Sequence, residues 1–365
     1  MLIYVHVPFC ARRCSYCDFA IAVRRETPAA AFTESVLAEW RLRQELPWWD
    51  DAPEVETIYF GGGTPSRLEP AGLARILTGI RAERTILPAA EITLETNPDD
   101  VTRERAAAWR ESGINRISLG GQSFDPAVLE WMHRTHTADQ IEDAVRILRA
   151  AGFANLSLDL IYGLPQELTR EWSADLERAL SLQPEHLSLY ALTVESGTPL
   201  GKWTTRGTVH SLPDERVADQ YLWANQRLRS AGVQHYEVSN AGRPGFEARH
   251  NAGYWQCKPF IGLGPSAHSG AGRDRTWNIR EWEAYRRAVE SGADPVAGRE
   301  TLTPDQLVLE EQYLGLRTAA GVSDELVPEP HQTLWLEQGW AVCQNGRVRL
   351  TPEGWLRLDA LVAGL

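Results

Sequence analysis

Over its first two thirds the chain alternates short β-rich runs with longer segments of helical spacing, and this limits the fold more than any other feature. The runs are "LIYVHV" at 2–7, "VETIYF" at 55–60, "EITLET" at 91–96, "NRISLG" at 115–120, "NLSLDLIY" at 155–162 and "HLSLYAL" at 186–192. Between them, "AAFTESVLAEWRLRQEL", "LARILTGIRAE", "RERAAAWRESG", "IEDAVRILRAAG" and "REWSADLERALSL" set apolar residues three and four apart, and several end at glycine. Six strands separated by helices predict parallel pairing through right-handed crossovers. The expected fold is α/β, a sheet curled into a partial (β/α)6 barrel.

The unusual residues fall at the ends of those strands. A cysteine-rich loop follows the first, "GGGTP" (61–65) the second, "TNP" the third, "GGQSF" (120–124) the fourth, "YGLPQ" (162–166) the fifth and "LTVESGTPL" the sixth. In parallel βα barrels the C-terminal strand ends carry the loops that build an active site. Motifs spread over nearly two hundred residues are therefore expected to converge on one face.

The loop "FCARRCSYCDF" places Cys10, Cys14 and Cys17 in a CxxxCxxC spacing among Phe9, Tyr16 and Phe19. Closely spaced thiolates shielded by aromatic rings suit a soft-metal centre. A structural zinc site wants four ligands, and Cys257 and Cys343 form no second close pair to complete one. Three thiolates on a 4Fe-4S cube leave the fourth iron open to a small molecule. The glycines of "GGGTP" let backbone approach a ligand closely, with amides that could hold an amino-acid end, although a purely structural turn reads the same way. Glu95, Gln122, Arg134 and Asp159 lie on the same face; singly, each also reads as a satisfied polar group or a solvated charge.

Bulk properties narrow the class. A chain of 365 residues with 43% hydrophobic content can bury a large core and carry a second, smaller unit. The net charge of -12 gives no electrostatic reason for a nucleic-acid partner. "MLIYVHVPFC" lacks the parts of a signal peptide, and no run approaches a membrane span, so a cytoplasmic protein is expected. In that reducing compartment five cysteines point to metal or redox chemistry rather than disulfides.

The CxxxCxxC loop after the first strand resembles the signature of the radical S-adenosylmethionine (SAM) superfamily. That resemblance implies a 4Fe-4S cluster on Cys10, Cys14 and Cys17, with SAM on the open iron. It also implies one-electron cleavage of SAM to methionine and a 5′-deoxyadenosyl radical. "YVHVPFCARRCSYCDF", "YFGGGTPS", "ETNP", "ISLGGQSF", "LDLIYGLPQ", "RHNAGYW" and "GLGPSAHS" further resemble the oxygen-independent coproporphyrinogen III oxidase-like family, which includes heme-chaperone relatives. By that resemblance Tyr4, Tyr16, Gly62, Gly63, Thr64, Glu95, Gln122, Arg134 and Asp159 match SAM-contacting positions.

Two departures from the oxidase favour the chaperone side. Phe19 stands where the oxidase carries a further cysteine, and Cys10 comes early, where the oxidase has an N-terminal extension. "RHNAGYWQC" has the HNxxYW form of the chaperones. Read alone, it is a packing turn in which His250 caps a helix or bonds a carbonyl. With the resemblance, His250, Asn251, Tyr254 and Trp255 become heme contacts, with His268 and Cys257 as rival iron ligands. The expected function is a heme chaperone that transfers heme to hemoproteins, respiratory and membrane-associated acceptors included, with an electron donor for the cluster. Homodimerisation stays open. The alternative is the oxidase activity itself.

Beyond about residue 280 the pattern changes. "WEAYRRAVESG", "TPDQLVLEEQYLGLR", "HQTLWLEQGW" and the hairpin "AVCQNGRVRL" predict a winged-helix-like unit over 280–365, after a barrel over 1–275. Its acidic residues argue for a lid or docking role over DNA binding.

Overall fold

A computed structural model describes residues 1–46, 49 and 54–365. Six parallel strands form its centre: β1 (Leu2–Val7), β2 (Val55–Gly62), β3 (Ile86–Thr96), β4 (Arg116–Gln122), β5 (Leu156–Tyr162) and β6 (His186–Ala191). They pair in chain order through α1 (Ala29–Arg43), α2 (Pro70–Glu83), α3 (Arg103–Ser112), α4 (Ala138–Ala150) and α5 (Trp172–Ser181), so the expected strand and helix rhythm is the observed one.

Local chemistry sets the boundaries. Thr137 and Gln140 close a reciprocal capping box at the start of α4, and Ile141, Ala144, Val145 and Leu148 give that helix one buried stripe. Thr102 caps α3, whose end is turned by Gly113 in the left-handed conformation. Strand β1 is buried over most of its length, as a strand covered on both faces must be.

The sheet is wider than the sequence pattern indicates. Strand β7 (Phe260–Leu263) joins β1 in parallel, pairing Leu2 with Phe260, and His268–Ala271, Asp274–Asn278 and Val296–Thr301 extend that edge antiparallel. On the other edge Asn240–Gly242 and Gln234–His235 follow β6, making twelve strands among the described residues. One of them, Val296–Thr301, lies beyond residue 280, where the change of pattern was expected. The helix Trp282–Glu290 also belongs with the barrel, since Trp282 packs edge-on against Phe9 at 5.2 Å.

The C-terminal elements begin with helix Pro304–Leu316 and include a three-stranded sheet of Val322–Ser323, Ala341–Gln344 and Arg347–Leu350. The hairpin turns at Asn345 and Gly346, both at positive φ, as a two-residue turn of matching twist requires. Val322, Trp335, Val348 and Leu350 share one continuous apolar core with the barrel.

Candidate cluster and cofactor site

The cysteine loop is held at both ends by a short parallel pairing of Phe9–Cys10 with Ala22–Val23. The Ala22 N–H donates to the Pro8 carbonyl at 2.7 Å, and the Arg24 N–H to the Cys10 carbonyl at 2.9 Å. Ser15, fully buried, anchors the middle by donating its N–H to the Met132 carbonyl and accepting from the Leu200 N–H. The three thiols thus face a cleft of about 430 Å³ at the C-terminal ends of the strands.

That cleft brings together Cys10, Cys14, Tyr16, Cys17, Gly62, Gly63, Thr64, Glu95, Gln122, Arg134 and Asp159. The side-chain period of two explains the convergence: Glu91, Thr93 and Glu95 point the same way from β3, and only the last reaches the strand's C-terminal end. Gln122 sits at φ 65°, where β4 slips register against β5. Of the expected SAM positions, Tyr4 is absent from the lining. It lies beneath, bonded through its hydroxyl to His6 Nδ1 at 3.1 Å and stacked on Tyr59.

The glycines of the second strand end serve the protein's own packing. Gly61 and Gly62 are the last residues of β2, not a loop after it. Gly62 has φ +113°, and a Cβ there would lie 2.6 Å from the His6 ring. A Cβ on Gly63 would meet the Pro8 carbonyl group at 2.7 Å and the Cys10 sulfur at 3.0 Å. The expectation that these amides bind a ligand is corrected for two of them: Gly62 N–H donates to Glu95 Oε2 at 3.1 Å, and Gly63 N–H to the Val7 carbonyl at 2.8 Å.

Charge in the cleft is arranged in two regions. Near the thiols, Arg134 directs Nη1 toward Cys14 Sγ at 3.6 Å and Nη2 to Asn97 Oδ1 at 2.6 Å and the Gly120 carbonyl at 2.9 Å. Its Nε is buried with no partner. Thr64 donates toward Cys10 Sγ at 3.5 Å. Burial pushes the Cys10 thiol up and the Cys17 thiol up to about 11. At the far wall, Glu95 accepts from Tyr59 at 2.8 Å, and burial raises its carboxyl to about 7. Asp159, also raised by burial, accepts from Ser118 at 3.1 Å and Ser157 at 3.3 Å.

These residues fit an iron–sulfur cube. Among the described residues no three His, Cys, Asp or Glu side chains close on one point as ligands of a single ion would. A cube gives each thiolate its own iron and needs no such convergence. Arg134, with a partnerless Nε and no carboxylate partner among the described residues, supplies positive charge beside the thiols.

The HNxxYW residues lie elsewhere. Helix Arg249–Trp255 closes the opposite, N-terminal end of the barrel, its first amides capped by both oxygens of buried Glu91. His250 is fully buried: Nδ1 bonds Thr57 Oγ1 at 2.7 Å, Nε2 bonds the Tyr254 hydroxyl at 3.0 Å, and burial lowers its pKa to about 3. Both ring nitrogens of His250 are thus engaged within the protein. Trp255 lies under the Arg317 guanidinium at 4.0 Å, and Asn251 is part-buried beside them in sequence. Tyr254 lines a small outer pocket of about 150 Å³ with Cys257, Lys258, Phe260 and Arg275. His268 is exposed, its ring 6.0 Å from that of Trp277.

Sequence reasoning missed Tyr59 and Asn97. Tyr59 touches both regions, donating to Glu95 and stacking on His250 at 5.0 Å. Its signal was alternation, two residues before Gly61 on one face of the strand. Asn97 was visible in "TNP" but its partner, Arg134, was not.

Comparison with known proteins agrees with this geometry. The Radical SAM superfamily profile matches residues 4–179. A Mycobacterium tuberculosis protein named heme chaperone HemW is 37% identical, covering 100% of this chain and 94% of its own. The mouse mitochondrial radical S-adenosyl methionine domain-containing protein 1 is 35% identical, covering 100% and 86%. Coproporphyrinogen III oxidase (HemN) from Escherichia coli has a similar fold, with a TM-score of 0.82 at 22% identity over 99% of this chain and 89% of that one.

Proposed function

This chain belongs to the radical SAM superfamily and, within it, to the HemW family, and from that premise we propose that it is a heme chaperone carrying a 4Fe-4S cluster and SAM. The observation that carries the cofactor reading is the cleft lined by three loop thiols, by Arg134, which has no salt bridge among the described residues, and by the carboxyls of Glu95 and Asp159. Cys10, Cys14 and Cys17 would hold the cluster. Glu95 and Asp159 offer acceptors for the hydroxyl groups of a nucleoside, and Arg134 balances thiolate charge. When bound, the cluster and SAM together supply one-electron chemistry; the protein excludes water and fixes their placement.

The heme reading is supported by the relatives' name and by the floor of the barrel. Tyr254 stands between His250 Nε2 and the outer pocket that contains Cys257 and Arg275. Ligation through His250 therefore requires Tyr254 to swing aside. Tyr254→Phe removes the bond to Nε2 and should speed heme uptake, whereas His250→Ala should alter the bound-heme spectrum with iron–sulfur content unchanged. If only His268→Ala or Cys257→Ala changes that spectrum, the ligand is reassigned.

The deciding experiment incubates the anaerobically reconstituted protein separately with heme and with coproporphyrinogen III. Heme should bind and pass to an apo-hemoprotein such as apomyoglobin, and the porphyrinogen should remain unchanged. Decarboxylation at an enzymatic rate would overturn the chaperone reading in favour of the oxidase.

A further inference from the structure

Strand register gathers polar side chains around one carboxylate inside the barrel. Ser118 of β4 pairs with Ser157 of β5, Ser157 pairs with His186 of β6, and two residues further on, Asp159 pairs with Ser188. Side chains at paired positions of neighbouring strands, and at positions two apart, lie on the same face of a sheet, here the face that lines the cleft through Ser118 and Asp159. Behind that lining a chain of contacts continues. His186 Nδ1 lies 2.8 Å from Ser157 Oγ, and its Nε2 lies 2.8 Å from the Tyr236 hydroxyl. Tyr236 in turn accepts from the Ala248 N–H at 3.1 Å, immediately before the helix that closes the barrel floor.

The inventory of donors gives this chain one direction. The Ala248 N–H is itself a donor, so the only acceptor for the Tyr236 hydroxyl proton among the described residues is His186 Nε2. In a neutral imidazole a nitrogen that accepts leaves the other to carry the proton, and burial, aided by the nearby Arg116 charge, keeps His186 neutral. Nδ1–H therefore donates to Ser157 Oγ. That frees the Ser157 proton for Asp159 Oδ1 at 3.3 Å, where Ser118 also donates at 3.1 Å. Ser188 lies equally near Ser157 Oγ at 3.3 Å, but a carboxylate accepts more strongly than a hydroxyl.

We propose that His186 and Tyr236 are positioning residues for SAM: the fixed tautomer of His186 turns the Ser157 hydroxyl onto Asp159 and so holds that carboxylate ready to accept from the nucleoside hydroxyls, an inference that rests on the SAM reading above. Neither residue lines the cleft, and both act through Asp159. Tyr236 selects the tautomer, His186 passes the polarity on, and Ser157 delivers it; no proton changes owner. A carboxylate whose inner oxygen is already bonded loses less freedom when its ligand arrives, which is how a preorganised site gains affinity. Were His186 a packing residue alone, the choice of tautomer would leave the cleft unaffected.

The test reads tautomer and affinity separately in the full-length reconstituted protein. With histidine labelled at its ring nitrogens, NMR of the oxidised form should show His186 as the Nδ1–H tautomer, its signal identified by its loss in His186→Gln. Tyr236→Phe removes the donor to Nε2; it should redistribute the tautomer and weaken SAM binding in calorimetry about fivefold, on the scale of one net hydrogen bond. Ser157→Ala, at the last link, should weaken SAM as much while leaving the tautomer in place, and it decides the matter should Tyr236→Phe fail to fold. In an Asp159→Asn background neither substitution should weaken SAM further, because the relay then has no carboxylate to orient, whereas losses from packing would add. An Nε2–H tautomer in the parent, unchanged affinity in Ser157→Ala, or additive losses in the Asp159→Asn background would each overturn the proposal. A parent that takes up its cluster but binds no SAM overturns the reading beneath it instead, and the proposal falls with that reading whatever the tautomer.

Discussion

Tyr59 stands at the point where the cleft meets the floor of the barrel. Its hydroxyl donates to Glu95 at 2.8 Å, while its ring packs with those of Tyr4 and His250 in a three-ring cluster. The two roles separate by mutation, since Tyr59→Phe keeps the ring and removes the donor. Burial holds the Glu95 carboxyl near 7, and the Tyr59 bond is the main influence pulling it down. Without that bond the carboxyl titrates higher and is protonated at neutral pH, where it becomes a poorer acceptor for a nucleoside hydroxyl. SAM affinity of Tyr59→Phe, followed by calorimetry, should fall about tenfold at pH 7, the scale of one hydrogen bond to a charged group, and recover as the pH is raised. Unchanged affinity across that range would remove Glu95 from the binding site. His250 tests the floor in the same way. His250→Ala leaves a cavity and frees the Thr57 and Tyr254 hydroxyls, so it should cost about 2–4 kcal/mol of stability in denaturant unfolding. Its effect on heme binding is meaningful only in a variant shown to be folded.

At the scale of elements, the cysteine loop depends on two short strands that carry few residues of their own. Ala22 is the critical donor, bonding the Pro8 carbonyl at 2.7 Å. Ala22→Pro removes that N–H and opens the base of the loop, but it leaves the six central strands untouched. Iron uptake should fall by more than half while the thermal midpoint moves little; a coincident collapse of both would show that the loop is part of the main cooperative unit. The central strands and crossover helices were legible in the sequence because period-two and period-3.6 patterns are local. Glu95 and Asp159 were singled out as polar residues of one face and by the family resemblance; Glu95 lies next to the end of β3 and Asp159 in the middle of β5. Strand β7 was not legible, because its four residues gain strand identity only by pairing with Leu2 and its neighbours. The amides of Gly62 and Gly63 were misread for a related reason: sequence displays a donor without showing that Glu95 and Val7 already accept from it.

The C-terminal elements share the barrel's apolar core, and a run of backbone bonds around residues 236–238 adds a polar seam to it. The Val238 N–H donates to the Arg317 carbonyl at 3.0 Å, the Ala319 N–H to the Tyr236 carbonyl at 2.8 Å, and Glu237 forms an isolated bridge with Thr318. Side chains repeat the connection. Arg317 pairs with fully buried Glu237 at 3.2 Å and covers the Trp255 ring at 4.0 Å, so the C-terminal elements grip the helix that closes the barrel floor. None of this was visible in the sequence, where Arg317 and Glu237 are two of many charges eighty positions apart. Removing the cation leaves a buried carboxylate without its counter-charge, and breaking such a pair costs about 3–5 kcal/mol. Burial already raises the Glu237 carboxyl, with Arg317 the largest influence opposing it, so Arg317→Ala raises it further. The folded state then keeps a proton that the unfolded state has lost, and stability falls as pH rises from the ordinary carboxylate range through the raised value. The melting deficit of Arg317→Ala relative to the parent should therefore be largest at pH above the raised value and shrink as the pH falls through it, as Glu237 takes up its proton in the folded protein. A deficit independent of pH would show that the seam is held by the Trp255 contact and the backbone bonds instead.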